Sequence, residues 1–199
     1  MIYGMAISIE QIQNLRVKTG SSILDCKKAL EESNGDEKEA IDILKKRGRI
    51  IAEKKGVRAT SAGIIDSYIH PNKRIGVLIE LRCETDFVAK NSDFINLTHE
   101  LAMHIAAMSP KYLKPEDIPQ EILDEERNIF MAQVADINKP ANIKEEMVDG
   151  KMKKRFSEIC LFEQPFVKNP NQTTRELITE YIAKIGENIE VARFTRYEL

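Results

Sequence analysis

The sequence predicts an α+β protein in which a small three-helix N-terminal domain precedes a helical core domain carrying a three-stranded antiparallel sheet. Three observations lead there. Over residues 8–48 apolar residues recur at helical spacing between small-residue breaks. Two runs rich in branched apolar residues, 64–70 and 75–83, flank Pro71-Asn72-Lys73-Arg74, the composition of a hairpin turn. A third such run, 189–197, supplies the remaining strand.

In the N-terminal part, Ile9, Ile12 and Leu15 share a face, as do Leu24, Ala29 and Leu30, and then Ala40, Ile41 and Leu44. Short amphipathic helices of this kind bury those faces against each other. Ser22 with Asp25, and Asp36 with Glu39, have the spacing of capping boxes, and Gly48 after Lys45-Lys46-Arg47 marks a helix end. Arg49 to Lys55 continues as a basic helix, and Gly56 to Gly63 has the small-residue composition of a linker. The expected organisation is a domain over 6–55, a linker over 56–62 and a core over 63–199.

In the core the strands fall at about 63–70, 75–83 and 188–198, with Val77, Ile79, Leu81 and Cys83 on one face. Ser92 is read as the cap of a helix in which Phe94, Leu97, Leu101, Ile105 and Met108 recur, the natural cover for the sheet. Pro119 opens a helical segment over 119–160 whose first helix carries Leu123, Phe130, Val134 and Ile137. Asn138-Lys139-Pro140 breaks it, a short helix runs to Gly150, and Lys151 to Cys160 forms the next. Thr173 with Glu176 caps the last helix, which stops at Gly186.

Composition narrows the function. The chain has 199 residues, 31% of them charged, and a formal net charge of -2. This balance lacks the basic field of a dedicated nucleic-acid binder and favours a protein partner. Lys151-Met152-Lys153-Lys154-Arg155 reads as a solvated helix face, with no direct nucleic acid expected. Cys26, Cys83 and Cys160 are odd in number and lack Cys-x-x-Cys spacing, so they are expected as reduced thiols of a cytoplasmic protein. No apolar run approaches the roughly 20 residues of a membrane span, and the start lacks secretory features. Met5-Ala6 reads as a second start, with Met1–Gly4 loosely held.

Enzyme chemistry is not visible. His99 and His104 are five apart on one helix and face different ways, while His70 precedes a turn. There is no phosphate-binding loop and no nucleophile paired with a base, so no catalytic residue, metal site or cofactor is expected.

The segment Cys83-Glu84-Thr85-Asp86-Phe87-Val88-Ala89-Lys90-Asn91 ends a strand and opens a helix. Thr85 and Asp86 are both N-cap candidates. Phe87 then either plugs the local core as a hydrophobic staple or projects from the corner.

That segment resembles the Thr-Asp-Phe-Val signature of the elongation factor Ts family. Leu15 to Leu30, with Thr19-Gly20 and Asp25-Cys26-Lys27-Lys28-Ala29-Leu30, resembles the family's N-terminal signature, although Ser21-Ser22 and Ile23-Leu24 stand where Ala-Gly and Met-Met are usual. Met152-Lys153-Lys154-Arg155, Gln164-Pro165-Phe166-Val167 and Ile182 to Ile189 extend the likeness to nearly the whole chain. The resemblance implies an exchange factor, not an enzyme, whose partner is elongation factor Tu in its GDP-bound and nucleotide-free states. It further implies that Asp86 and Phe87 intrude beside the partner's magnesium and phosphate region, that Thr85 and Val88 set the corner, and that Arg16, Ile23 and Leu24 of a ubiquitin-associated-like head face the partner. One copy of the core unit, where longer relatives have two, points to a homodimer. The competing reading is a peptide- or helix-binding scaffold.

Overall fold

The computed structural model describes residues 7–199, so Met1–Gly4 and the second start at Met5-Ala6 lie outside the described residues. Its strands are β1 (Ala62–Ile69), β2 (Ile75–Cys83), β3 (Pro165–Phe166), β4 (Asn169–Thr173) and β5 (Ile189–Glu198). β1, β2 and β5 form the expected three-stranded antiparallel sheet in the order β1-β2-β5. β3 and β4 pair as an antiparallel ribbon, with Phe166 opposite Asn169. Eight α-helices accompany them among the described residues: α1 (Ile9–Thr19), α2 (Ile23–Glu32), α3 (Glu37–Lys55), α4 (Asp86–Ala89), α5 (Ser92–Met108), α6 (Gln120–Ala135), α7 (Ala141–Ile159) and α8 (Thr174–Ile185).

The chain divides into two compact units. One holds the residues up to Ile64, Leu81–Leu97 and Ile178–Glu190; the other holds Ile65–Glu80, Thr98–Leu177 and Val191–Leu199.

In the first unit, α1 to α3 pack around Leu15, Cys26, Ala29, Leu30, Ala40 and Leu44. Burying a leucine side chain contributes about 1.5–3 kcal/mol, and two of these leucines are nearly inaccessible. Each helix is capped from its own sequence. Ser8 and Gln11 close a reciprocal capping box, Ser22 Oγ accepts from the Asp25 N–H, and an Asp36 oxygen accepts from the Glu39 N–H. Ile9 and Leu24 depart from the expected core faces and are exposed, while Ile7 and Ile12 pack on the cluster. Leu24 precedes Cys26 by two residues, about 200° around a helix, so it cannot share the stripe of Cys26, Ala29 and Leu30. The helix end expected at Gly48 is also corrected: α3 runs through it to Lys55 as one helix. Gly20 ends α1 with φ 64°, whereas Gly48 is not among the positive-φ glycines. Without that left-handed turn, an interior glycine costs only about 1 kcal/mol relative to alanine and does not stop a helix.

In the second unit, side-chain bonds fix α5 against one face of the sheet. His99 Nδ1 lies 3.0 Å from Asp66 Oδ2, and Arg196 Nε donates to the Ala106 carbonyl at 3.2 Å. Leu101 and Ile105 of α5 and Val77 and Ile79 of β2 are fully buried, while Met108, expected on the same stripe, is more than a third exposed. The cap of α5 is Asn91 and not Ser92, because Asn91 Oδ1 accepts from the Asp93 N–H at 2.8 Å while Ser92 is already the first helical residue. α6 and α7 form a hairpin around Val134, Val148 and Met152, with Phe130, Ile137 and Phe156 against them. The break expected at Gly150 is absent: α7 is one helix of 19 residues. Its apolar stripe Val148, Met152, Phe156 continues across the glycine at helical spacing and outweighs the glycine's weak propensity. Thr173 and Glu176 exchange the two bonds of a capping box at the start of α8.

Candidate partner-binding site

All seven residues singled out by the sequence fall in the first unit. After β2 the chain turns at Glu84 and Thr85 into the single turn of α4. Of the two N-cap candidates Thr85 takes the position: its backbone is extended and its Oγ1 accepts from the Val88 N–H at 3.4 Å. Asp86 is the first helical residue, an acidic group at the positive end of the turn. Ala89 is the residue that α4 buries.

Phe87 is 89% exposed. The staple reading therefore fails, because a ring that open contributes almost nothing to the local core. Asp86 beside it is exposed and Val88 half-buried. In the three-helix part, Ile23 and Leu24 at the start of α2 are 58% and 60% exposed, and Arg16 is exposed on α1. Val17, also exposed, adjoins Arg16 and was not singled out, although it lies inside the motif that drew attention to its neighbour.

The corner is held from a segment far along the chain. Gly186, with φ 87°, ends α8 and turns the backbone so that Glu187 and Asn188 reach back. The Thr85 N–H donates to Glu187 Oε2 at 3.0 Å and the Thr85 hydroxyl to Glu187 Oε1 at 2.7 Å. The Asn188 N–H donates to Glu84 Oε1 at 2.7 Å, and Asn188 Nδ2 to the Arg58 carbonyl at 2.9 Å. That backbone bond, with the Arg58 guanidinium 3.4 Å from the same carboxylate, holds Glu84 below the ordinary carboxyl range. Below the corner the Cys83 thiol donates to the Thr85 carbonyl at 3.2 Å. Burial, helped by the charge of Glu187, pushes that thiol up to about 11. Cys26, Cys83 and Cys160 are all buried and free.

Among the described residues no cluster of three or more His, Cys, Asp or Glu could hold a metal ion, and no helix is long and apolar enough to cross a membrane. In the second unit, two cations of the basic run on α7 are engaged within the hairpin. Arg155 pairs with Glu126 at 2.8 Å and Glu158 at 3.3 Å, and Lys151 donates to Gln133 at 2.9 Å.

An exposed aromatic on a braced corner, together with the motifs around Thr19 and Thr85, asks for comparison with known proteins. The family model described as Elongation factor TS matches residues 8–199. This chain belongs to the elongation factor Ts family. It is 50% identical to the elongation factor Ts of Carboxydothermus hydrogenoformans over 193 residues, 97% of this chain and 89% of that one. It is 51% identical to that of Thermotoga maritima over 195 residues, 98% and 97% of the two chains. With the elongation factor Ts of Petrotoga mobilis it shares 49% over 195 residues, 98% and 99% of the chains. An elongation factor Ts serves translation elongation as a nucleotide exchange factor and makes or breaks no bond itself.

Proposed function

We propose that this elongation factor Ts binds GDP-loaded elongation factor Tu and promotes release of GDP, with Thr85, Asp86, Phe87 and Val88 as the wedge and Arg16, Ile23 and Leu24 as the grip of the head. The observation that carries the reading is the exposure of Phe87 on a corner whose backbone is tied down. A large apolar ring held in water at a fixed place is suited to insertion into a partner. Exchange by this route is a coupling between two ligands: the factor binds the nucleotide-free partner more tightly than the loaded one, so each weakens the other. Every tenfold gain in release requires about 1.4 kcal/mol of differential binding, within reach of one aromatic and a few polar contacts. Asp86 next to the ring brings negative charge toward the region of the partner that holds magnesium and phosphate, where it competes for the ion.

The chain acts, in this proposal, as a homodimer in the cytoplasm. Three free thiols fit a reducing compartment. For the dimer the support is the face of the sheet opposite α5. Gly76 faces Ile69, whose Cδ1 lies 3.0 Å from the position a β-carbon would take there, so Ile65, Ile69 and Leu78 share one side by alternation. Arg193 pairs with Glu80 at 2.7 Å on that same side, which brings Tyr197 there as well. All four apolar side chains are exposed. A second copy of this face would cover it symmetrically.

The deciding experiment is stopped-flow release of a fluorescent GDP from purified elongation factor Tu. Acceleration that saturates with the concentration of this chain supports the reading. Release at the intrinsic rate refutes it and leaves the scaffold reading in its place.

A further inference from the structure

We propose that Glu187 is a positioning residue for Phe87, supplying from 102 residues away the capping bond that the corner helix cannot make for itself. The inference rests on the reading of Phe87 as the exchange wedge. In a capping box the side chain at the third helical position reaches back to the N-cap N–H. In α4 the N-cap is Thr85 and the third helical position is Val88, an apolar residue with nothing to offer that N–H. The Glu187 carboxylate takes its place: one oxygen accepts the Thr85 N–H and the other the Thr85 hydroxyl proton. With its proton committed to Glu187, the hydroxyl keeps lone pairs for the Val88 N–H, so Thr85 makes one half of the box itself and the remote carboxylate completes the other while orienting the hydroxyl.

The corner needs this support. α4 has four residues, far below the roughly 12–15 at which an isolated helix begins to hold in water. Its apolar anchor is Ala89, a small one. Glu187 is itself fixed on either side. Gly186 supplies the left-handed turn, and the Lys55 ammonium donates to the Gly186 carbonyl. Asn188 bridges Glu84 and Arg58, and Lys184 one turn earlier pairs with Asp93 of α5 at 2.9 Å. A corner free to fluctuate would present Phe87 in the productive pose only part of the time, and the apparent affinity for the nucleotide-free partner that drives exchange falls by that fraction.

The test compares the full-length chain with Glu187→Ala and Glu187→Gln, alone and combined with Phe87→Ala. Amide hydrogen exchange of the free proteins reads the brace directly. In Glu187→Ala the amides of Thr85 and Val88 are expected to exchange about tenfold faster or more, a charge-assisted bond being worth at least that factor, while those of α1–α3 are unchanged. Glu187→Gln, which keeps one acceptor of the two, falls between. The maximal rate of GDP release from elongation factor Tu is expected to fall by a similar factor in Glu187→Ala, with no further fall when Glu187→Ala is added to Phe87→Ala. Equal losses in both backgrounds, or unchanged exchange at Thr85 and Val88, overturn the proposal. If Glu187→Ala does not fold, Glu187→Gln carries the same comparison. A Phe87→Ala protein that releases GDP at the full rate overturns the wedge reading instead, while the amide data still decide whether Glu187 braces the corner.

Discussion

His104 Nε2 lies 3.0 Å from Gln164 Oε1, with the imidazole fully buried in the second unit. Its Nδ1 accepts the Val167 N–H at 3.2 Å, so the proton resides on Nε2 and the ring is held neutral. Gln164 is fixed in turn by donating to the Met108 and Glu158 carbonyls, and the Thr174 hydroxyl lies 3.3 Å from Nε2. Charges on the surrounding elements are paired with one another, Glu100 with Lys168, Glu163 with Arg175 and Glu158 with Arg155. Burial lowers the His104 pKa from its ordinary 6.5, with the Gln164 bond opposing. The unfolded chain therefore takes up a proton that the folded one refuses. The contribution of His104 to stability is complete above 6.5 and is lost as the pH falls through that value toward the lower folded one. Urea unfolding at a series of pH values should show stability declining across this window. His104→Gln should flatten that part of the profile while lowering stability throughout by about 1–3 kcal/mol, the usual penalty for disturbing a buried hydrogen-bonded group.

Phe87→Ala separates binding from folding. With the ring 89% exposed, the substitution should shift unfolding free energy by no more than about 0.5 kcal/mol. Its effect should fall on the catalysed release of GDP, slowed about tenfold or more, equivalent to about 1.4 kcal/mol of lost differential binding. Thermal melts and stopped-flow traces on the same preparation check both halves. A large drop in melting temperature would return the residue to a packing role.

The apolar side of the sheet predicts an oligomeric state. Ile65→Lys and Leu78→Lys place cations among Ile69 and Tyr197, where a second copy would desolvate them. Sedimentation velocity should show the parent chain as a dimer and the double variant as a monomer. As both positions are open to solvent in the single chain, the helical signal of the monomer should be retained. A parent chain that sediments as a monomer at all concentrations removes the dimer.

What could be read in advance follows from the range of the forces involved. The three helices of the head and the strands at 62–69, 75–83 and 189–198 carry strong periodicity and local caps, and both are sequence-near signals. Glycine's poor helix propensity marks Gly48 and Gly150 as stops, yet Gly48 lacks the left-handed turn that ends a helix, and the stripe of Val148, Met152 and Phe156 carries α7 across Gly150 through tertiary contacts. The β3–β4 ribbon leaves no local signal, since Pro165 and Pro170 stand in strands too short to show alternation. The local pattern marks Thr85 as a cap candidate and allows Phe87 either of two roles, and what separates the roles is solvent exposure, which local pattern does not encode. The partner of Thr85 was out of reach altogether. Nothing near Thr85 in sequence hints that the bond missing at Val88 is made by Glu187, and the likeness over Ile182 to Ile189 marks that loop without saying what it touches.

Two glycines offer a test of opposite sign. Gly150 sits inside α7 with nothing within 4 Å of the position a β-carbon would occupy. Alanine there adds no clash, restricts the unfolded chain and suits the helix better, so Gly150→Ala should stabilise the protein by about 0.5–1 kcal/mol. Gly63 lies in β1 with φ 156°, and a β-carbon built on it would fall 2.3 Å from the Leu81 carbonyl oxygen and 2.8 Å from Arg82 Cα. Both neighbours are backbone of β2, which cannot swing aside as a side chain would. Gly63→Ala must push the two strands apart or twist β1 out of register, at a cost of about 1–3 kcal/mol for the strained backbone and more where pairing is lost. Parallel urea titrations of the two variants should therefore move the midpoint in opposite directions. A Gly63→Ala protein as stable as its parent would mean that β1 does not approach β2 this closely at the start of the sheet.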